Sequence, residues 1–103
     1  MEGPVVGIVL GSISDLELGV KAKEVLGTLG IPFEMTVASA HRTPDDVANY
    51  ARNARARGLK VIIAVAGLSA ALPGALAAHT TLPVIGVPAP AGTAVGAGVG
   101  VRF

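Results

Sequence analysis

Four short branched-apolar runs, separated by segments of helical character, constrain this chain more than any other feature. Val5 to Leu10, Phe33 to Ala38, Lys60 to Ala66 and Leu82 to Val87 each have the length and side chains of a buried strand. Between them lie helix-length segments, and every connection is short. A β-α-β-α-β-α-β order with short links implies a parallel sheet with right-handed crossovers and helices on both faces.

The helix limits carry their own signals. Ser14 followed by Glu17 reads as a capping box, and Leu16, Val20, Val25, Leu26 and Leu29 recur at helical spacing. Gly30 suits the position after that helix, and Pro32 blocks its continuation. Thr43, Pro44, Asp45 and Asp46 look like a second helix start, with cap, first-turn proline and dipole-matching charge. That helix is expected to reach about Arg57, with Val47, Tyr50, Ala51 and Ala54 inward, Arg52, Arg55 and Arg57 solvated, and Gly58 ending it. A short helix from about Ala70 to His79 tolerates Pro73 only in its first turn.

A length of 103 residues suits one domain, and half the residues are apolar with few aromatics (one Tyr, two Phe, no Trp). Small and branched aliphatics of this kind build α/β cores. A formal charge of +1 and so little aromatic content give no support for nucleic-acid binding. The absence of cysteine excludes disulfides and thiolate metal sites, and fits the cytoplasm. No signal-peptide pattern opens the chain, and no apolar run is long enough to span a membrane. Residues 1–88 are read as an α/β domain. Residues 89–103, a Gly/Ala/Val tract without a helical face, are read as an irregular tail.

Ligands of parallel sheets bind at the carboxyl ends of the strands. The loops at those ends, Gly11 to Asp15, Ser39 to Thr43 and Gly67 to Gly74, hold the polar residues of interest. Gly11-Ser12-Ile13-Ser14-Asp15 enters a helix N-terminus and can cradle a phosphate, although it is not a P-loop; Ser14 and Asp15 are equally readable as plain caps. Asp15 would repel a phosphate, so neutral sugar hydroxyls suit it better. His41, between Ser39 and Arg42, has the titration range for proton transfer. Arg42 either pairs with Asp45 or Asp46 or holds an oxyanion. His79 reads as structural, and two distant histidines do not make a metal site.

In order, Gly11-Ser12-x-Ser14-Asp15, Ser39-Ala40-His41-Arg42-Thr43-Pro44-Asp45, Ala66-Gly67 with Leu72-Pro73-Gly74, and Pro83-Val84-Ile85-Gly86-Val87-Pro88 resemble the signatures of the 5-(carboxyamino)imidazole ribonucleotide mutase family. The resemblance spans about Val5 to Pro88. It implies a flavodoxin-like three-layer α/β/α fold, assembly as an octamer, and a purine-pathway carboxylate shift that needs no cofactor or metal. It also implies His41 as the acid-base residue, Ser12, Ser39 and Arg42 on the phosphate, Asp15 on the ribose, and the Gly67 to Gly74 loop, with Leu72, over the base. Ala71 stands where the family usually has histidine. The stretch Leu68 to Leu72 leans toward relatives that use free carbon dioxide, although those usually have Lys-Gly in place of Arg42-Thr43. A relative that makes a pyridinium dicarboxylate mononucleotide also lacks the histidine. Family members continue well past Pro88, so the ending here resembles a truncated or frame-shifted reading. Such a chain is expected to leave a sheet edge and apolar faces uncovered, or to be an inactive nucleotide-binding fragment.

Overall fold

A computed structural model describes residues 3–67 and 71–89. Leu68, Ser69 and Ala70, with the tail from Pro90 onward, lie outside the described residues. The elements follow the expected alternation: β1 (Val6–Leu10), a 3-10 turn (Ile13–Asp15), α1 (Leu16–Thr28), β2 (Phe33–Val37), α2 (Pro44–Ala54), β3 (Val61–Ala66), α3 (Ala71–Ala77) and β4 (Val84–Pro88). All the strand pairings are parallel, in the order β2-β1-β3-β4.

Alternate side chains divide the core into two sheets of contacts. Val9, Ile62 and Ala64 pack with Val47, Ala51, Ala54, Leu72 and Leu76 of α2 and α3. Ile8, Leu10 and Val65 pack with Leu26 of α1 on the other face. β1, central and covered on both faces, is buried throughout. On the α1 side the described residues supply one helix, so Ile63 and its register partner Ile85 stay half-buried. Among the described residues this half-buried apolar surface lies over β3 and β4.

The helix ends are closed by two glycines. After α1, Gly30 adopts φ 72° and donates to the Gly27 carbonyl (3.1 Å), while Ile31 donates to Leu26 (2.9 Å). After α2, Gly58 adopts φ 97°, with Gly58 to Arg55 at 3.0 Å and Leu59 to Ala54 at 3.1 Å. Both are Schellman closures, which need the left-handed conformation that glycine takes without a Cβ penalty.

Several expectations are corrected. Ser14 does not cap α1: the Ser12 hydroxyl accepts from the Ser14 N–H at 3.2 Å, a 3-10 turn follows, and Asp15 occupies the α1 N-cap without a side-chain bond. Val25 and Leu29 face solvent. Leu26 packs inward as expected, and Leu18, Gly19 and Ala22 complete the inward face, because Gly19 lets the helix approach until a Cβ there would stand 2.8 Å from Met35 Sδ. α2 ends at Ala54 rather than Arg57, and Thr43 makes no side-chain cap although Pro44 opens the helix. Arg57 is not merely solvated, since it pairs with Glu34. β4 starts at Val84, because residues before it turn through a bond from the Leu82 N–H to Thr80 Oγ1 (3.1 Å).

Candidate active site

Register decides which loops meet. Leu10, the last residue of β1, pairs with Val37 on one side and Val65 on the other. Gly11 then donates to the Val65 carbonyl (2.8 Å), and Ala38 donates to the Leu10 carbonyl (2.9 Å). The Gly11–Asp15 turn therefore emerges between the Ala38–Thr43 turn and Gly67, at the crevice where the strand order reverses.

The first turn is organised by its hydroxyls. Ser12 and Ser14 bring their Oγ atoms to 2.9 Å, and both remain accessible. Asp15 behind them is 9% exposed. Burial pushes its carboxyl above the usual aspartate value of 3.8, and a hydrogen bond with the Ser12 backbone opposes this. A carboxyl so placed suits bonding to neutral hydroxyls. Leu72, 2% exposed, lies beneath: a Cβ on Gly11 would stand 3.7 Å from Leu72 Cδ2. Its side chain forms the floor under the turn, and Gly67, half-buried, follows directly on β3.

The second turn folds on itself. Thr43 Oγ1 accepts from the Ser39 N–H (2.9 Å) and donates to the Ser39 carbonyl (3.3 Å). Ser39 Oγ accepts from the Arg42 N–H (3.1 Å), and the Thr43 N–H donates to the Ser39 carbonyl (2.9 Å). This knot ties Ser39 to Thr43 and leaves His41 and Arg42 exposed at its tip. Among the described residues Arg42 forms no ion pair, so its pairing with Asp45 or Asp46 is not realised. The two turns are neighbours through the strands, and no side-chain hydrogen bond joins them among the described residues.

A cluster invisible to sequence reading supports β2. Arg57 makes a two-pronged ion pair with Glu34, Tyr50 Oη donates to Glu34 Oε2 at 2.6 Å, and the guanidinium lies 5.4 Å from the Tyr50 ring centroid. The Arg57 hydrogen bonds hold the Glu34 carboxyl below its ordinary value, and burial together with Glu34 raises the Tyr50 phenol. Positions 50 and 57 are two helical turns apart, but no local pattern relates either to Glu34 on β2. An open groove of about 590 Å³ runs beside this cluster, from Thr36 to Arg57. It follows the free edge of β2 and does not include His41 or Ser12. Among the described residues no three His, Asp or Glu side chains form a metal-ligand set, and no helix is long and apolar enough to cross a membrane.

A parallel sheet ordered 2-1-3-4, helices on both faces and polar turns at the switch point define a doubly wound protein of flavodoxin-like topology. A PurE crystal structure from Treponema denticola superposes with a TM-score of 0.80 at 32% identity, covering 87% of this chain and 58% of that one. The family model for AIR carboxylase matches residues 5–98, and the chain belongs to that family. It is 60% identical over 87 residues to the N5-carboxyaminoimidazole ribonucleotide mutase of Aquifex aeolicus, covering 84% of this chain and 52% of that protein. Identity to the mutase of the same name from Bacillus subtilis is 59%, covering 82% and 52%. A Schizosaccharomyces pombe phosphoribosylaminoimidazole carboxylase is 57% identical, with 85% of this chain matching 16% of that protein. The chain thus spans about half the length of the mutases it matches.

Proposed function

We propose that this chain carries the ribonucleotide-binding and acid-base groups of a purine-biosynthetic mutase. The reaction converts 5-carboxyamino-1-(5-phosphoribosyl)imidazole to 5-amino-1-(5-phosphoribosyl)imidazole-4-carboxylate. The observation that carries this reading is the Leu10–Val37 register, which sets the Ser12–Asp15 turn beside the one bearing His41 and Arg42. Ser12, Ser39 and Arg42 hold the phosphate, Asp15 the ribose hydroxyls, and Gly67 the base, with Leu72 packed beneath as the floor of the turn. His41 protonates the exocyclic nitrogen as its bond to carbon dioxide breaks. The ring carbon then attacks the trapped carbon dioxide, and the neutral imidazole takes the proton that this carbon releases. Proximity supplies most of the rate, since carbon dioxide kept from water recombines before it escapes. No cofactor takes part.

In this reading residues 1–88 are the catalytic α/β unit and 89–103 an appended tail. The enzyme works as a cytoplasmic homo-oligomer, an octamer as the family resemblance implies, without nucleic acid or membrane as partner. Half-buried Ile63 and Ile85 supply the apolar surface that such assembly requires. The test is turnover of the carbamate substrate, followed by the absorbance of the carboxylated product. Activity above an H41N control is expected, and a parent chain no faster than that control rejects catalysis. Calorimetric binding of aminoimidazole ribonucleotide without turnover would assign it instead as a nucleotide-binding remnant.

One observation favours a second reading. Ala71 opens α3 without a polar side chain, a substitution that fits a carboxylase using free carbon dioxide. Offering each carbon source separately discriminates, because turnover with the carbamate alone excludes it.

A further inference from the structure

The end of the sheet opposite His41, where β3 and β4 begin, carries a cluster of largely exposed basic and hydroxyl side chains. There the last turn of α2 and the turn after α3 enclose an open pocket of about 460 Å³. Its lining is Arg52, Arg55, Ala78, His79, Thr80 and Thr81, with no acidic side chain. Arg52 and Arg55 stand three residues apart and so share one helix face. The imidazole comes from the other wall.

A cation near a helix C-terminus is favourable on its own, which accounts for one such charge. It does not account for two guanidinium groups three residues apart with no acidic side chain in the lining, since like charges repel more strongly as they approach. Arg57, one turn away, shows the ordinary solution, a carboxylate partner in Glu34. Among the described residues neither Arg52 nor Arg55 forms an ion pair. Arg55 is nevertheless held in place: its Nη1 donates to Thr81 Oγ1 at 2.7 Å, across the pocket. A guanidinium carries five N–H donors, so most of those on Arg55 remain free. Thr80 Oγ1 accepts from the Leu82 N–H (3.1 Å), which leaves its own hydrogen to donate.

We propose that this pocket binds the phosphoryl group of a phosphomonoester. Its donors come from two walls, the α2 face and residues 79–81, and so approach an anion from more than one plane. A tetrahedral oxyanion uses such a set fully, whereas a planar carboxylate is satisfied by one guanidinium fork. The volume exceeds what a bare phosphate fills. No aromatic ring lines the pocket to stack a base, so the phosphate carries the recognition. The strands are five to six residues long, and at about 3.3 Å per residue they separate this pocket from the His41 turn by roughly 17–20 Å. The site is therefore independent of the proposed substrate phosphate site and does not rest on the proposed reaction.

The experiment titrates isotope-labelled full chain with inorganic phosphate and, separately, with adenosine 5′-monophosphate, at about 0.15 M ionic strength to screen diffuse attraction. R42Q is the background, which removes the anion group at the other end. Saturable shifts of the His79, Thr80 and Thr81 amide signals are expected, with affinity at least ~10-fold weaker in R52Q/R55Q. Equal affinity for the two probes identifies free phosphate as sufficient, and tighter adenosine monophosphate identifies a larger phosphomonoester. R52K/R55K keeps the charge without the forks and, with unchanged signals elsewhere, guards against misfolding. It is expected to bind more weakly than the R42Q parent. Absence of saturable shifts with both probes overturns the proposal, as does parent-like affinity in either double variant.

Discussion

Gly7 and Tyr50 occupy the same space: a Cβ on Gly7 would collide with the Tyr50 hydroxyl and stand 3.2 Å from Leu59 Cδ1. The hydroxyl is there because Glu34 Oε2 accepts from it at 2.6 Å. G7A therefore displaces the Tyr50 ring and breaks that bond, at a cost of about 1–3 kcal/mol in unfolding free energy. Y50F removes the colliding atom, so G7A should cost less in a Y50F background. Urea denaturation of the four chains measures the coupling. Additive effects, within about 0.5 kcal/mol, would show that the two positions do not compete for space.

The Glu34–Arg57 pair predicts a pH-dependent contribution of known sign. The Arg57 hydrogen bonds lower the Glu34 carboxyl from its ordinary 4.5, with desolvation opposing and Tyr50 assisting. A depressed acid stabilises the fold above its unfolded value and loses that contribution as pH falls through its folded value. Arg57 is 44% exposed, so the pair is worth only about 0.2–1 kcal/mol and weakens with salt. R57Q should be less stable than the parent near neutrality, with the gap closing progressively as pH falls below 4.5. A gap that stays constant into acid rules out the ion pair as its source.

The strands were legible because a continuous branched run such as Val5 to Leu10 suits a strand buried on both faces, as β1 is, and Gly30 and Gly58 marked their helix ends through backbone chemistry. The α1 face was legible only in part, at Leu26, because two of its other inward positions are Gly19 and Ala22. Small residues carry little hydrophobic signal yet permit the closest approach, while Val25 and Leu29 carry a strong signal and face water. Ser12 and Ser14 offered two adjacent hydroxyls, and only the path from β1 into α1 chose between them. The turns bearing Ser12 and His41 were identifiable as loops at strand ends. Their adjacency depends on β1 lying beside β2, a pairing that local patterns do not contain. Glu34, Tyr50 and Arg57 meet through tertiary packing alone.

Thr43 stands at the N-cap of α2, but its hydroxyl serves the preceding turn. T43V should therefore leave the helix almost untouched while removing the acceptor of the Ser39 N–H and the donor to the Ser39 carbonyl. Each lost bond is worth about 0.5–1.5 kcal/mol. In hydrogen exchange the Ser39 and Arg42 amides should lose protection, with Ala51 and Ala54 retaining theirs. Equal loss along Val47–Ala54 would mean that Thr43 caps the helix after all.

Asp15 should show stability and ligand binding pulling in opposite directions. Its carboxyl is raised above 3.8 chiefly by burial, so the ionised form is disfavoured in the fold. For an acid raised in this way, stability is greatest below the unfolded value and declines as pH rises through the folded value. D15N removes the buried charge and keeps an equally good N-cap residue, so it should be more stable than the parent near neutrality by about 0.5 kcal/mol or more. The two denaturation curves should converge as pH falls below 3.8. The same change exchanges a charged acceptor for a neutral one facing the proposed ribose hydroxyls, which should weaken ribonucleotide binding by about 10-fold. Calorimetry against aminoimidazole ribonucleotide reads the second effect separately from the first. A variant that is no more stable at neutral pH refutes the desolvation account of Asp15, and one that binds as tightly as the parent refutes its contact with the ribose.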